Sequence, residues 1–241
     1  MLTRTTCGFA AVAALVAVAI AGGASAATRI PPPPPMPPAS DFVAHATNKY
    51  FPLIPGTTFR YRGAEGGEPS LDVVTVTDGK KTILGVRATV VLDRTTVGGV
   101  PSEKTFDWYA QDKHGNVWYL GEAAFDFVDG RWIRAEDSWQ AGVAGARAGI
   151  IMEAHPKVGD VYRQEYYAGH AEDVARVLDR DASISVPYES FRHHVLRTRE
   201  WTPLEPGIVD NKFYARGIGE VAERTVKGGS DYLELVSIMH G

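Results

Sequence analysis

The chain has 241 residues, with 25 Lys and Arg against 29 Asp and Glu, for a formal charge of −4. Acidic and basic residues are interspersed, so the pattern offers no basic stripe for nucleic acid and no acidic tail. The one cysteine, Cys7, lies in the opening segment; once that segment is lost, disulfides, thiolate catalysis and cysteine metal ligation are excluded.

Met1-Leu2-Thr3-Arg4 is a short positive lead, followed by an apolar run from about Gly8 to Ala21. Ala24-Ser25-Ala26 then gives the small-x-small pattern that a signal peptidase reads. The run is shorter than the ~20 residues that span a bilayer, and no later segment approaches that length. The expectation is a signal peptide over residues 1–26 and an exported protein, periplasmic or extracellular, without a transmembrane segment after cleavage. Pro31 to Pro35 and Met36-Pro37-Pro38 follow. Such a run favours extended polyproline helix, so residues 27–47 are expected to be a semi-rigid linker before a single domain over 48–241.

From Tyr50 onward the punctuation is that of antiparallel sheet. Thr57–Arg62, Leu71–Thr77, Thr82–Val97 and Lys104–Gln111 are rich in β-branched and aromatic residues. Asp78-Gly79 and Gly98-Gly99 divide them. Asp112-Lys113-His114-Gly115 is a turn before Asn116–Leu120, and Asp129-Gly130 is a short-hairpin signal between Ala124–Val128 and Arg131–Ala135. Gly142–Gly149 and Met152–Gly159 read as loops. Val161–Tyr167, Ala171–Leu178, Ser183–Pro187, His193–Thr202, Ile208–Tyr214, Glu220–Lys227 and Asp231–Ile238 read as further strands. The fold expected is all-β: a curved antiparallel sheet, half-barrel or open barrel, with little helix.

Chemistry-bearing motifs are sparse. The His193-His194 pair should point to opposite sheet faces, as strand neighbours do, and so cannot chelate from one side. Asp179-Arg180-Asp181 begins like a calcium loop but has Ile184 in place of the central glycine and Ser190 in place of the last carboxylate. No Gly-x-Ser-x-Gly elbow occurs. No cofactor is implied. Asp107, Glu165 and Glu200 fall on predicted strands and could meet as the carboxylates of a hydrolase or isomerase.

Binding is the stronger expectation. Phe106, Trp108, Trp118 and Leu120 should share one face of a hairpin, with Tyr109 on the other, and the aromatic wall either packs a core or lines an apolar cavity. The strands Val161–Tyr167 and His193–Thr202 are mixed on both faces. Arg163, Glu165, Arg199 and Glu200 therefore serve as candidate polar tips of a concavity, beside Trp108, Trp118 and Tyr109.

Ser185-Val186-Pro187-Tyr188-Glu189-Ser190-Phe191, Val195-Leu196-Arg197-Thr198 and Phe213-Tyr214-Ala215-Arg216-Gly217-Ile218-Gly219-Glu220-Val221 form a pattern. It resembles uncharacterised bacterial secreted proteins with a VPxGxF…WYAPGVGLV-like C-terminal half. Ile54–Tyr61 resembles the opening strand of that group. Glu189 stands in place of its glycine and Arg216 in place of its proline. The resemblance implies a curved half-barrel loosely similar to the lipoprotein carriers LolA and LolB, which bind acyl chains in an apolar concavity. Together these readings suggest an exported, non-catalytic envelope protein that binds a lipid or other apolar or amphipathic small molecule. A cell-surface interaction or structural protein is the alternative outside catalysis.

Overall fold

The computed structural model describes residues 29–241; the signal-peptide segment lies outside the described residues. Fourteen strands form one sheet: β1 (Thr57–Glu65), β2 (Glu68–Ile83), β3 (Val86–Val97), β4 (Val100–Gln111), β5 (Val117–Val128), β6 (Arg131–Arg134), β7 (Arg147–Met152), β8 (Val161–Arg163), β9 (Glu165–Tyr166), β10 (Val174–Ser185), β11 (Ser190–Trp201), β12 (Val209–Ala215), β13 (Gly219–Lys227) and β14 (Tyr232–His240). Among the described residues the helical content is one 3-10 turn, Ala39–Asp41. The protein is all-β, as its alternating and β-branched segments require.

The order around the sheet is β8-β10-β11-β12-β13-β14-β1-β2-β3-β4-β5-β7-β9, with β6 folded against β5. From β1 to β5 and from β10 to β14, strands adjacent in sequence are adjacent in space, and every pairing is antiparallel. Two seams turn this meander into a barrel. At the first, the ends of the domain meet, with β1 pairing β14 from Thr57↔His240 to Ala64↔Tyr232. At the second, one short segment changes partners: Val161–Arg163 pairs β10, and after Gln164 the same chain pairs β7 through Glu165↔Ala148 and Tyr166↔Arg147. Gly149 makes that crossing possible, since a Cβ there would lie 2.4 Å from the Gln164 carbonyl carbon.

Turn chemistry sets the hairpins. Asp129 (φ 50°) and Gly130 (φ 78°) both take the left-handed conformation of a tight two-residue turn between β5 and β6. Asp112 organises the β4–β5 turn, its Oδ1 accepting the His114 and Asn116 amides at 2.8 and 3.0 Å. Asp78-Gly79, expected to separate two strands, instead lies within β2 as a register shift between Val76 and Lys80. The reversal falls at Leu84-Gly85, both at positive φ.

A ring of this many strands encloses more space than its own inward side chains fill. The segment before β1 helps to fill it. Thr47 and Pro52 bridge in a tight loop. Asn48 Nδ2 donates to the carbonyls of Gly115 (2.9 Å) and Glu153 (3.1 Å), and the Gly217 amide donates to Lys49 O (2.7 Å). These bonds pin the loop across the strand ends and place Tyr50, Phe51 and Leu53 in the hydrophobic clusters with Tyr61, Leu196 and Tyr214.

The proline run does not stand the domain off as a spacer. Arg147 donates to Pro33 O at 3.0 Å and Arg163 to Pro31 O at 3.4 Å. Met36, Ala39 and Phe42 then pack on a cluster containing Trp108, Trp118 and Leu120. A polyproline helix makes no internal hydrogen bonds, so its carbonyls are free to accept from these arginines.

Candidate functional site

The aromatic wall and the interior cavity lie on opposite faces of β4 and β5. Trp108, Trp118 and Leu120 are buried in one cluster, as the hairpin pattern predicts, but Phe106 is not part of it and instead meets Phe125 edge-on at 6.4 Å. That face is covered from outside. Phe42 meets the Trp118 ring edge-on at 6.3 Å, and Trp118 Nε1 donates to Asp112 Oδ2 at 2.9 Å. The Lys81 ammonium sits 3.3 Å from the centre of the Trp108 ring. Trp118 is thus packed by the N-terminal segment and the β4–β5 turn, whereas Trp108, beneath Lys81, lines a second pocket of about 200 Å³ with Arg134, Trp139 and Gln140.

Tyr109, on the alternate face, does line the cavity. Its ring stacks on Tyr119 at 4.7 Å and meets Phe51 at 5.1 Å. The cavity has a volume of about 180 Å³ and lies inside the barrel. One part of its wall is apolar: Phe51, Leu53, Phe59, Val74, Val91 and Leu233. The rest is acidic, with Asp72 from β2, Asp93 from β3, Asp107 from β4, and Glu220 and Glu223 from β13. One cation, Lys212 of β12, faces them.

Lys212 Nζ lies 3.2 Å from Glu223, 3.7 Å from Glu220 and 3.8 Å from Glu200. The Asp side receives hydroxyl donors instead. Thr95 donates to Asp72 at 3.3 Å. The Tyr119 hydroxyl lies 2.6 Å from Asp107 Oδ1 and 2.7 Å from Glu122 Oε2. A phenol has one proton, so both short contacts are satisfied only if one of the two carboxyls is protonated and donates in return. Asp72 and Asp93 also share a hydrogen bond, which likewise requires a proton between them.

Burial explains why those protons stay. It pushes Asp107 up to about 7, with the Asp93 charge adding to the effect and the Tyr119 hydroxyl opposing it. Burial raises Glu220 to about 7 and Glu223 to about 8, and Lys212 holds both lower than burial alone would. Asp72 is raised well above the ordinary range, by burial first and Asp93 second. Low-dielectric surroundings penalise each charge, and neighbouring carboxylates add repulsion.

The remaining candidate residues do not form one site. Arg163 bonds the Glu172 carbonyl (2.8 Å) and carboxylate (3.2 Å). Glu165 is buried and accepts from Trp139 Nε1 at 2.8 Å. Arg199 is exposed on the outside of β11. Glu200 is buried on the inside, accepting from Thr198 (2.7 Å) and Tyr214 (3.0 Å). Alternation along β11 puts Arg199 and Glu200 on opposite faces. Asp107, Glu165 and Glu200 thus occupy three different surroundings: the Tyr119 hydroxyl, the Trp139 indole and the Lys212 cluster.

The histidine pair departs from its expected geometry. His193 (φ 66°) and His194 (φ 60°) are both left-handed, and both rings approach the Asp181 carboxylate, at 3.2 and 3.4 Å. Strand alternation does not apply to them because the backbone there is not extended. Among the described residues no group of three or more His, Cys, Asp or Glu side chains is arranged to hold a metal ion.

Asp72, Asp93, Lys212, Glu220 and Glu223 escape a motif search, because they come from four strands far apart in sequence. Their one shared signal is a charged residue within a strand run, which strand preference disfavours.

No protein-family model matches the chain, and no curated protein matches it. Among solved structures, the fold is similar to that of a Bacteroides fragilis protein described as a candidate exported protein with a YmcC-like fold. The TM-score is 0.46 and the identity 14%, over 80% of this chain and 99% of that one. A candidate lipoprotein from Parabacteroides distasonis gives a TM-score of 0.43 and 12% identity, over the same shares. Among the described residues no helix is long and apolar enough to cross a membrane.

Proposed function

We propose that this is an exported, non-catalytic envelope protein whose barrel holds a small apolar or amphipathic molecule. The observation that carries the reading is the interior cavity of about 180 Å³, apolar on one side and polar on the other. Apolar walls with a few convergent polar groups of perturbed acidity are the usual marks of a binding site. The signal-like residues 1–26 support export. The volume falls below the ~300 Å³ at which drug-sized pockets begin, which favours a small ligand, or one end of a larger one, over a whole lipid.

The test is calorimetric titration with 2-phenylethanol, a neutral probe with an apolar body and one hydroxyl. Saturable binding is expected, and it is lost when Val74→Trp fills the cavity. No saturable binding of this probe or of a small hydrocarbon would remove the reading.

A further inference from the structure

We infer that the cavity selects a small organic cation, an ammonium carrying a short apolar body, in preference to a neutral or anionic molecule of the same shape. This rests on the proposed binding role and names the ligand class for that same cavity.

Three observations support it. The first is the imbalance of charge: five carboxyl side chains line the cavity with Lys212 as their one ammonium among the described lining residues. The second is where that ammonium sits. Lys212 makes its ion pairs with Glu223, Glu220 and Glu200. Asp72 and Asp107 are met by the hydroxyls of Thr95 and Tyr119. The third is a poorly met acceptor: Asp93 Oδ1 is shielded from solvent and no N–H or hydroxyl donates to it, its neighbour being the Asp72 carboxyl. A shielded carboxylate oxygen that no N–H or hydroxyl reaches carries a desolvation penalty, and an ammonium N–H would relieve it.

The rest of the wall suits the other end of such a molecule. Phe59 and Leu233 offer apolar surface, and the tyrosine rings of Tyr61 and Tyr109 offer faces that attract a cation. Among the described residues no group of three or more His, Cys, Asp or Glu side chains is arranged to hold a metal ion, so an organic cation suits the lining better than an inorganic one.

The Asp72–Asp93 and Tyr119-centred contacts hold protons in the empty site. An entering ammonium replaces a proton as the compensating charge, so binding releases protons to solvent. Asp107, Glu220 and Glu223 titrate between about 7 and about 8, and affinity therefore rises as pH increases through that range. The groups that face this exchange are Asp72, Asp93, Asp107, Glu122, Glu200, Asp210, Lys212, Glu220 and Glu223, with the tyrosines Tyr61, Tyr119 and Tyr214.

The experiment titrates the purified protein with phenethylammonium, 2-phenylethanol and 3-phenylpropionate at pH 6 and pH 8, in two buffers of different ionisation enthalpy. The expected result is an order (ammonium, then alcohol, then carboxylate) with at least a tenfold preference for ammonium over alcohol at pH 8. Ammonium binding should also release protons, seen as a buffer-dependent heat. Asp93→Asn, nearly isosteric, should weaken ammonium binding about tenfold while leaving alcohol binding within twofold. Equal binding of alcohol and ammonium without proton release would overturn the cation inference and leave the binding role standing. Failure of all three probes would overturn both.

Discussion

The two faces of the β4–β5 hairpin have similar aromatic content and opposite fates. Outside, Phe42 meets Trp118, Met36 and Ala39 pack on the same cluster, and Trp108 borders a second pocket beneath Lys81. Inside, Tyr109 and Tyr119 stack beside a space of about 180 Å³. Around Trp118 the outer face is satisfied by the protein's own chain, and the indole N–H there has a dedicated acceptor in Asp112. The inner face keeps carboxyls that share protons and one oxygen that no N–H or hydroxyl reaches. What separates a packing surface from a candidate binding surface here is whether the chain itself supplies the partners.

The comparison breaks most readily on the outer side. Trp118→Ala should cost about 3–5 kcal/mol, the usual range for a large buried aromatic. It should leave 2-phenylethanol affinity nearly unchanged in whatever fraction remains folded. Denaturant unfolding with a parallel titration checks both. A large affinity loss with little loss of stability would reverse the roles of the two faces.

The next effect concerns the cover. Replacing Met36 and Phe42 together by Ala should lower stability by about 2 kcal/mol, given their partial burial. A free spacer would give none. Chemical unfolding of the double variant, followed by tryptophan emission, decides between them.

The inner face predicts an uncommon pH dependence. Asp107, Glu220 and Glu223 are protonated in the folded protein up to about 7 to 8. In the unfolded chain such carboxyls ionise near ~4. The folded state thus binds more protons across that window, and the stability due to these groups is whole below it and declines as pH rises. The unfolding midpoint should fall from pH 5 to pH 8, and Glu223→Gln should make the slope shallower. A midpoint that rises over this interval contradicts the arrangement.

The smallest effect expected is at Tyr119. Removing its hydroxyl in Tyr119→Phe takes one donor from Asp107 and Glu122, a loss of about 1 kcal/mol, the usual net value of a hydrogen bond. It should also raise the Asp107 pKa, because the hydroxyl favours the ionised form. Carboxyl titration by NMR reads that shift directly.

Much of this fold is legible in the chain. Asp129-Gly130, the Asp112 turn and Gly98-Gly99 mark reversals that the structure has, because such residues have a local conformational reason to be there. The alternation of Leu196, Thr198 and Glu200 against Arg197 and Arg199 also holds, in the later half of β11. Closure of the barrel is not legible. Residues 161–166 change partners in mid-segment, and nothing local records which strand lies on either side. The inward face of β4 is ambiguous for the same kind of reason: Trp108 and Tyr109 are both plausible core residues, and a proline segment more than sixty residues earlier decides between them. The acidic lining is assembled by register across β2, β3, β4 and β13, so it becomes visible only once the ring is built.

The central claim is that the inner cavity, not the outer tryptophan wall, holds the ligand. The most direct test titrates 2-phenylethanol into Val74→Trp and Trp108→Phe side by side, each checked for native unfolding behaviour. The account predicts that binding disappears in Val74→Trp and persists within about twofold in Trp108→Phe. Retained binding in the first with lost binding in the second would contradict it.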